Sequence, residues 1–336
     1  MQVVSDQISK KVVVLGTGGT IAGTAHSASD NIGYTAAQVA VAQLLDGVPG
    51  LPAVLQGHAL HSEQVAQVDS KDMRFDIWLA LAQRVVHHLA QADVSGVVIT
   101  HGTDTLEETA YFLHAVLPPE LINAKPVVLT CAMRPASAQN PDGPQNLMDA
   151  VSVALTCGAH GVVAVCAGTV HSGLEVQKAH TYKLDAFTSG DAGALAYVEE
   201  GQVRLLRKWP PVLMNKWNVA IKNISEPTGW PRVEIVMNYA GCDGQVIQAM
   251  LQPRDGVTPL HGLVVAGTGN GTLHHDLENA LRQAVQAGVT VVRSTRCCNG
   301  WVLPAANSEF AHSDGLSPVK ARIALMLGYK FFINEV

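Results

Sequence analysis

The residues best suited to chemistry stand in two small-residue runs. In the first, GTGGT at 16–20, Gly16, Gly18 and Gly19 let backbone N–H groups approach a bound molecule, and Thr20 presents a hydroxyl. A neutral hydroxyl attacks a carbonyl poorly unless a neighbour takes its proton, so a nucleophilic Thr20 needs a partner. The second run, THGTDT at 100–105, sets Thr103 beside Asp104. A hydroxyl next to a carboxylate can hold an amine or relay a proton. His101 reads either as a base or as a structural hydrogen-bonder, and Glu107 and Glu108 suit the first turn of a helix. The first run is equally compatible with a plain strand-to-helix turn capped by Thr20. A dinucleotide cradle fits less well, because G-x-G-G-x-I is not G-x-G-x-x-G and no acidic residue ends a second strand about 20 residues later.

Each run follows a β-branched stretch, Val12–Leu15 for the first and Val97–Thr100 for the second, and Val127–Thr130 and Val162–Cys166 are further strand-sized runs. Between them Ile77, Leu81, Val85 and Leu89 recur at helical steps, as do Ala110, Leu113 and Leu117. Valine-rich strands interleaved with one-sided helices predict an α/β fold whose mainly parallel sheet is covered on both faces. Ligands in such sheets sit beyond the carboxyl ends of the strands, where both runs fall. The rhythm breaks over 207–232, where Pro210, Pro211, Pro227 and Pro231 stand among Trp209, Trp217 and Trp230. This segment reads as an interdomain linker between a larger domain at 1–206 and a smaller α/β domain at 233–336. In the smaller domain Val233–Met237, Leu263–Ala266 and Val289–Val292 read as strands, and Asp276 as the cap of a helix ending at Gly288.

Composition removes several classes. A chain of 336 residues that is 48% hydrophobic and 15% charged is not disordered, and its low charge points to surface covered in an oligomer. A net charge of −6 does not suit a grip on nucleic acid. No apolar run reaches the ~20 residues of a membrane span, and the N-terminal residues lack the apolar core of a secretory signal. A cytoplasmic location is expected. The six cysteines lack CxxC spacing and read as buried free thiols. His87–His88 and His274–His275 are adjacent pairs whose members diverge on a helix, and no HExxH occurs among the 14 histidines, so neither a metal nor another cofactor is implied. Arg134, before Pro135, reads as a structural hydrogen-bonder rather than an anion-binding group.

TGGTIAG (17–23) and THGTDTLEETAYFL (100–113) resemble the two signature segments of bacterial-type L-asparaginases. SKDM (70–73), VVLTCAMRPASA (127–138), DGPQNLMDAV (142–151), AGTGNGT (266–272), VVRSTR (291–296) and LSPVKARIAL (316–325) follow in family order, so the resemblance covers nearly the whole chain. It implies hydrolysis of L-asparagine to L-aspartate and ammonia through an acyl-enzyme on Thr20. Tyr34, in a mobile segment from Thr24 to Thr35, is implied to close over and activate the nucleophile. An ordinary tyrosine keeps its proton at neutral pH, so one in this role needs tuning or works as a relay. Thr103, Asp104 and Lys178 match a second cluster, with Asp104 also holding the substrate α-ammonium and Ser70 the α-carboxylate. Ala132 matches a backbone position near the leaving amide, and Gly19 and Gly102 match small residues lining the pocket. The resemblance further implies a homotetramer built from intimate dimers, with a small-molecule substrate bound between two subunits.

Three positions depart from the family pattern. Lys71 stands where Gln or Glu commonly meets the substrate ammonium, and is expected to weaken or alter binding unless it turns away or pairs with a carboxylate. Thr272 stands where a neighbouring subunit often contributes Asn or Ser. Glu309 is the candidate for the acidic residue a neighbour offers to the tyrosine. Rival readings are a glutaminase-asparaginase of relaxed specificity, the amidase subunit of a tRNA-dependent amidotransferase, which usually carries an additional N-terminal domain, and a catalytically silent amino-acid-binding module.

Overall fold

The valine runs become the buried centre of a sheet. In the computed structural model, which describes residues 9–209, 229–304 and 308–331, the strands up to residue 205 are β1 (Lys11–Gly18), β2 (Ala59–Val68), β3 (Val94–Thr100), β4 (Val127–Thr130), β5 (Val162–Cys166), β6 (Thr169–Ser172), β7 (Gln177–Lys178), β8 (Phe187–Thr188), β9 (Ala196–Glu199) and β10 (Gln202–Leu205). Eight of them form one sheet in the order β10-β9-β6-β5-β4-β3-β1-β2, while β7 and β8 pair as a separate ribbon. The stretch from β2 to β5 is parallel and the remaining pairings are antiparallel.

Helices α1 (Val41–Asp46), α2 (Leu51–Leu55), α3 (Phe75–Leu89), α4 (Leu106–Val116), α5 (Pro119–Ile122) and α6 (Gly143–Leu155) cover the parallel part. Val12, Val14, Val98, Val128 and Val163 form one core with α1, α2 and α6. The alternate residues Val13, Leu15, Val97, Ile99 and Leu129 are equally buried beneath the α3–α4 side. Two buried faces explain why these strands read as continuous apolar runs. Trp78 of α3 stacks on Phe112 of α4 with ring centroids 4.9 Å apart, and a fully buried side chain of that size contributes ~2–3 kcal/mol.

The second unit repeats the plan in smaller form. Strands β11 (Arg232–Met237), β12 (Leu260–Gly267), β13 (Thr290–Thr295) and β14 (Ala311–His312) pair in that order, all parallel. Helices α7 (Gln245–Leu251) and α8 (His275–Gln286) pack one face through Ile247, Leu277 and Leu281, and α9 (Pro318–Met326) packs β11–β13. The α8 cap differs from the sequence reading. His274 is the cap, its Nδ1 accepting the Asp276 N–H at 3.2 Å, and Asp276 lies within the first turn. Gly288 follows the helix at φ +84°, as a terminating glycine should.

The chain divides into compact units at 1–223 and 224–336. Most of the linker expected at 207–232 lies outside the described residues. Its first residues belong to the larger unit, since Arg207 pairs with Glu175 and Trp209 packs on that core. Among the described residues no helix is long and apolar enough to cross a membrane. The expectation of buried thiols holds for Cys131, Cys166 and Cys242, whereas Cys157, Cys297 and Cys298 are exposed.

Candidate active site

Because β3, β1 and β2 are consecutive in the sheet, the turns that leave them emerge together. Gly18 and Gly19 adopt φ +102° and +82°, a region that side chains rarely enter. A side chain at Gly19 would overlap the backbone of Gly102, and one at Gly102 would overlap the Ser70 hydroxyl. The two glycines therefore let three turns touch. Hydrogen bonds fix them: Thr17 Oγ1 donates to the Thr100 carbonyl at 2.9 Å, Thr105 Oγ1 to the Ser70 carbonyl at 2.8 Å, and Gly19 N–H to the Val68 carbonyl at 2.9 Å.

Thr20 opens a single 3-10 turn and is only 6% exposed. Its Oγ1 lies 2.7 Å from the Tyr34 hydroxyl. The tyrosine ring rests on Gly23, where any Cβ would come within 2.8 Å of Cδ2. The segment carrying Tyr34 is closed by reciprocal backbone bonds between Thr24 and Thr35, both 2.9 Å. It is fastened further by Ala25 N–H on Ser137 Oγ at 2.7 Å and Gln139 N–H on the Ala28 carbonyl at 3.0 Å.

The second hydroxyl has its own partner. Lys178, presented by β7, donates from Nζ to Thr103 Oγ1 at 2.9 Å and to Asp104 Oδ1 at 2.6 Å. Ser70 Oγ accepts the Asp104 N–H at 3.2 Å, which leaves its proton for an incoming acceptor such as a carboxylate. Five residues singled out in the sequence thus form two hydrogen-bonded groups, Thr20–Tyr34 and Thr103–Lys178–Asp104. Each pairs a hydroxyl with a group that can take or hold a proton.

His101 is not a base. Fully buried, it donates Nδ1–H to the Gly102 carbonyl at 2.7 Å, and its Nε2 meets Thr109 Oγ1 at 2.9 Å, while Thr109 accepts Trp78 Nε1–H at 2.8 Å. Burial pushes its pKa from 6.5 to about 4, so the neutral ring braces the turn from behind. Two residues that sequence reasoning passed over hold the loop of Ala132. Asp142 accepts N–H bonds from Met133 at 2.9 Å and Arg134 at 2.8 Å, and Asn146 donates to the Cys131 carbonyl at 2.9 Å. Their signal was the polar DGPQN opening a helix after a small-residue loop. Arg134 itself packs over the Tyr182 ring at 4.1 Å, a structural role.

Lys71 is paired, with Nζ 2.7 Å from Asp69 and 3.0 Å from Asp72. These hydrogen bonds raise its pKa. Thr272 and Glu309 belong to the second unit. Thr272 bonds across its own glycine turn to Thr268, hydroxyl to hydroxyl at 2.9 Å, and Glu309 is held by Arg282 at 2.7 Å.

An α/β protein with two hydrogen-bonded threonine hydroxyls at the carboxyl ends of a parallel sheet is the class this fold and site define. Two family models match in order: asparaginase, N-terminal, over residues 11–211, and glutaminase/asparaginase C-terminal domain over residues 232–330. L-asparaginase 2 of Bacillus subtilis is 36% identical over 324 residues, covering 94% of this chain and 81% of that protein. The glutaminase-asparaginase of Pseudomonas fluorescens is also 36% identical over 324 residues, covering 94% and 85%. The crystal structure of a "Probable Cytoplasmic L-asparaginase" from Campylobacter jejuni superposes with a TM-score of 0.84 at 34% identity, covering 95% of this chain and 94% of that one. The chain belongs to the asparaginase/glutaminase family of amidohydrolases.

Proposed function

We propose that the protein hydrolyses L-asparagine to L-aspartate and ammonia through a covalent intermediate on Thr20. The observation that carries this reading is the pair of armed hydroxyls on turns joined through Gly19 and Gly102. Tyr34 relays the Thr20 proton, its hydroxyl oxygen accepting it while its own proton passes to the amide nitrogen; as Oγ1 attacks the side-chain amide carbonyl, turn N–H groups stabilise the oxyanion, and the C–N bond then breaks to release ammonia. Water then attacks the aspartyl ester, Thr103 and Lys178 relay its proton to Thr20 Oγ1, and the bond from Oγ1 to the acyl carbon breaks to release aspartate and restore the hydroxyl. Asp104 binds the substrate α-ammonium, Ser70 its α-carboxylate, and the Ala132 backbone meets the leaving amide. Lys71 stands beside this site with its charge offset by Asp69 and Asp72, which moderates rather than abolishes its repulsion of the ammonium.

The reading extends to a homotetramer in which a neighbouring copy brings Thr272 and Glu309 to the site, the latter with Arg282 attached. It is supported by the low charge of the chain, 15%, and by Met237, Tyr239, Trp301 and Leu303, each more than half exposed at 51–69%. Size-exclusion chromatography with light scattering tests it. Within each copy we take a larger domain that extends past residue 206 to include Arg207 and Trp209, and a smaller domain at 233–336, with the join between them. We assign the protein to the cytoplasm on its exposed unpaired Cys157, Cys297 and Cys298, and cell fractionation tests that assignment.

A glutaminase-asparaginase of relaxed specificity is the second reading, favoured by the equal 36% identity to the Pseudomonas fluorescens enzyme and the Bacillus subtilis L-asparaginase. Steady-state ammonia release from asparagine and glutamine, on the wild type and on Thr20→Ala, tests both. Release from asparagine that Thr20→Ala abolishes supports the proposal, comparable kcat/KM for the two amides selects the second reading, and binding without ammonia release overturns both.

A further inference from the structure

The mechanism uses none of the imidazoles, yet two of them converge with a carboxylate away from the site. His61 and Glu63 are two residues apart on β2, so both point to the face that α3 covers. The opposite face of the same strand carries Gln64, whose Oε1 accepts the Val41 N–H at 2.8 Å. From the last turn of α3, His88 reaches down to Glu63, Nε2 to Oε2 at 2.8 Å. One donor atom from each of His61, Glu63 and His88 lies within 4.8 Å of the other two.

We propose that His61, Glu63 and His88 form a binding site for a divalent transition-metal ion of the zinc type, serving structure rather than catalysis. Two imidazoles, one carboxylate and water make a donor set that zinc accepts. With metal–donor distances of 2.0–2.1 Å, tetrahedral donors stand roughly 3.4 Å apart, so closure from separations within 4.8 Å needs at most about 1.4 Å of movement. His61 is exposed and free to make it by a rotamer change. His88 is the fixed point, 4% exposed, and its second nitrogen, Nδ1, is buried without a hydrogen-bond partner. In the empty site Nε2–H donates to Glu63. An ion taking that place sends the Nε2 proton to Nδ1, where it displaces no existing bond, and the ring stays neutral throughout.

Arg84 opposes the ion. It holds both Glu63 oxygens, at 2.6 and 2.8 Å, and its guanidinium lies 3.4 Å from His88 Nε2. Binding therefore requires Glu63 to turn Oε2 to the metal while Arg84 keeps Oε1, and the arginine lowers the affinity. This opposition gives the site a signature that incidental surface binding lacks: removing a positive residue should strengthen it. The position also states a purpose. Glu63 lies about 20 Å along the chain from Ser70, so the ion would clip β2 to the end of α3 at the far end of the unit that carries the Ser70 turn.

The test uses full-length, untagged protein stripped with EDTA and titrated with zinc sulfate by calorimetry, with cobalt(II) absorption as a second readout. The expected result is one ion per chain with Kd below ~10 μM, a rise of a few degrees in Tm at saturating zinc, and visible cobalt bands of a nitrogen–oxygen site. His61→Ala, an exposed change that leaves the core intact, should weaken binding at least tenfold with ammonia release unchanged, and Arg84→Gln should strengthen it. Binding unaltered by His61→Ala, binding lost instead with Cys297→Ser and Cys298→Ser, weaker binding in Arg84→Gln, or no binding at 100-fold molar excess would each overturn the proposal.

Discussion

Lys178→Met separates chemistry from stability. The Lys178 ammonium donates to Thr103 at 2.9 Å and to Asp104 at 2.6 Å, and methionine keeps the length of the stem while removing the charge and every donor. The structural loss is small. Lys178 is 17% exposed but its partner Asp104 is 54% exposed, so solvent screens the pair, which contributes about 0–1 kcal/mol. The catalytic loss is larger, because a positioned proton-transfer group is worth ~10²–10⁴-fold in rate, or ~3–5 kcal/mol of barrier. The expected outcome is a fall of at least about a hundredfold in kcat for asparagine, a KM within a few-fold of wild type because Asp104 still meets the ammonium, and a Tm shift of no more than ~4 °C. Ammonia release coupled to NADH oxidation measures the first two and scanning calorimetry the third. A kcat within threefold of wild type, or a rate loss matched by a collapse in Tm, would refute the role given to this lysine.

Further outcomes follow from the same geometry. Tyr34→Phe removes the hydroxyl 2.7 Å from Thr20 and should lower kcat at least ~100-fold while KM changes little, and full activity would remove Tyr34 from the mechanism. Lys71→Glu replaces an ammonium near the substrate's own and should lower KM for asparagine a few-fold at similar kcat; KM values for asparagine and glutamine unchanged from wild type would show that this side chain is silent. Stability should fall on acidification because of His101: below pH 6.5 the unfolded chain takes up a proton that the folded one refuses down to about pH 4. The contribution is complete above about pH 6.5 and up to ~3 kcal/mol is lost by pH 4, with His88, also pushed down by burial, acting in the same direction. Urea unfolding across this range checks it, and a flat profile contradicts a neutral buried His101.

Much of the scaffold was legible because burial on both faces leaves a plain signal. Val12–Leu15, Val97–Thr100 and Val162–Cys166 lie within strands, and the stripe Ile77–Leu89 lies within α3. β2 was not legible, since at the sheet edge its ALHSEQVAQV mixes polar and apolar residues on partly open faces. Asp276 was misread as a cap because nothing local says that the His274 ring accepts its N–H first. The site divides in the same way. Thr20, Thr103 and Asp104 announce themselves by following strands, whereas Tyr34 and Lys178 sit in ordinary local contexts and were found only through the family resemblance. Lys178 stands on a strand of two residues whose pairing with Phe187 is a tertiary fact. The His61–Glu63–His88 cluster was invisible for a related reason: its members lie on a strand and a helix more than twenty residues apart in sequence, and only the packing of α3 on β2 joins them.

Thr20 is the proposed nucleophile, and rapid-quench mass spectrometry of the enzyme mixed with L-asparagine tests it most directly. An added aspartyl mass confined to the peptide containing Thr20, appearing before steady state and absent in Thr20→Ala, is the predicted result. Acylation at Thr103 instead, or Thr20→Ala turning over asparagine at the wild-type rate, would contradict it.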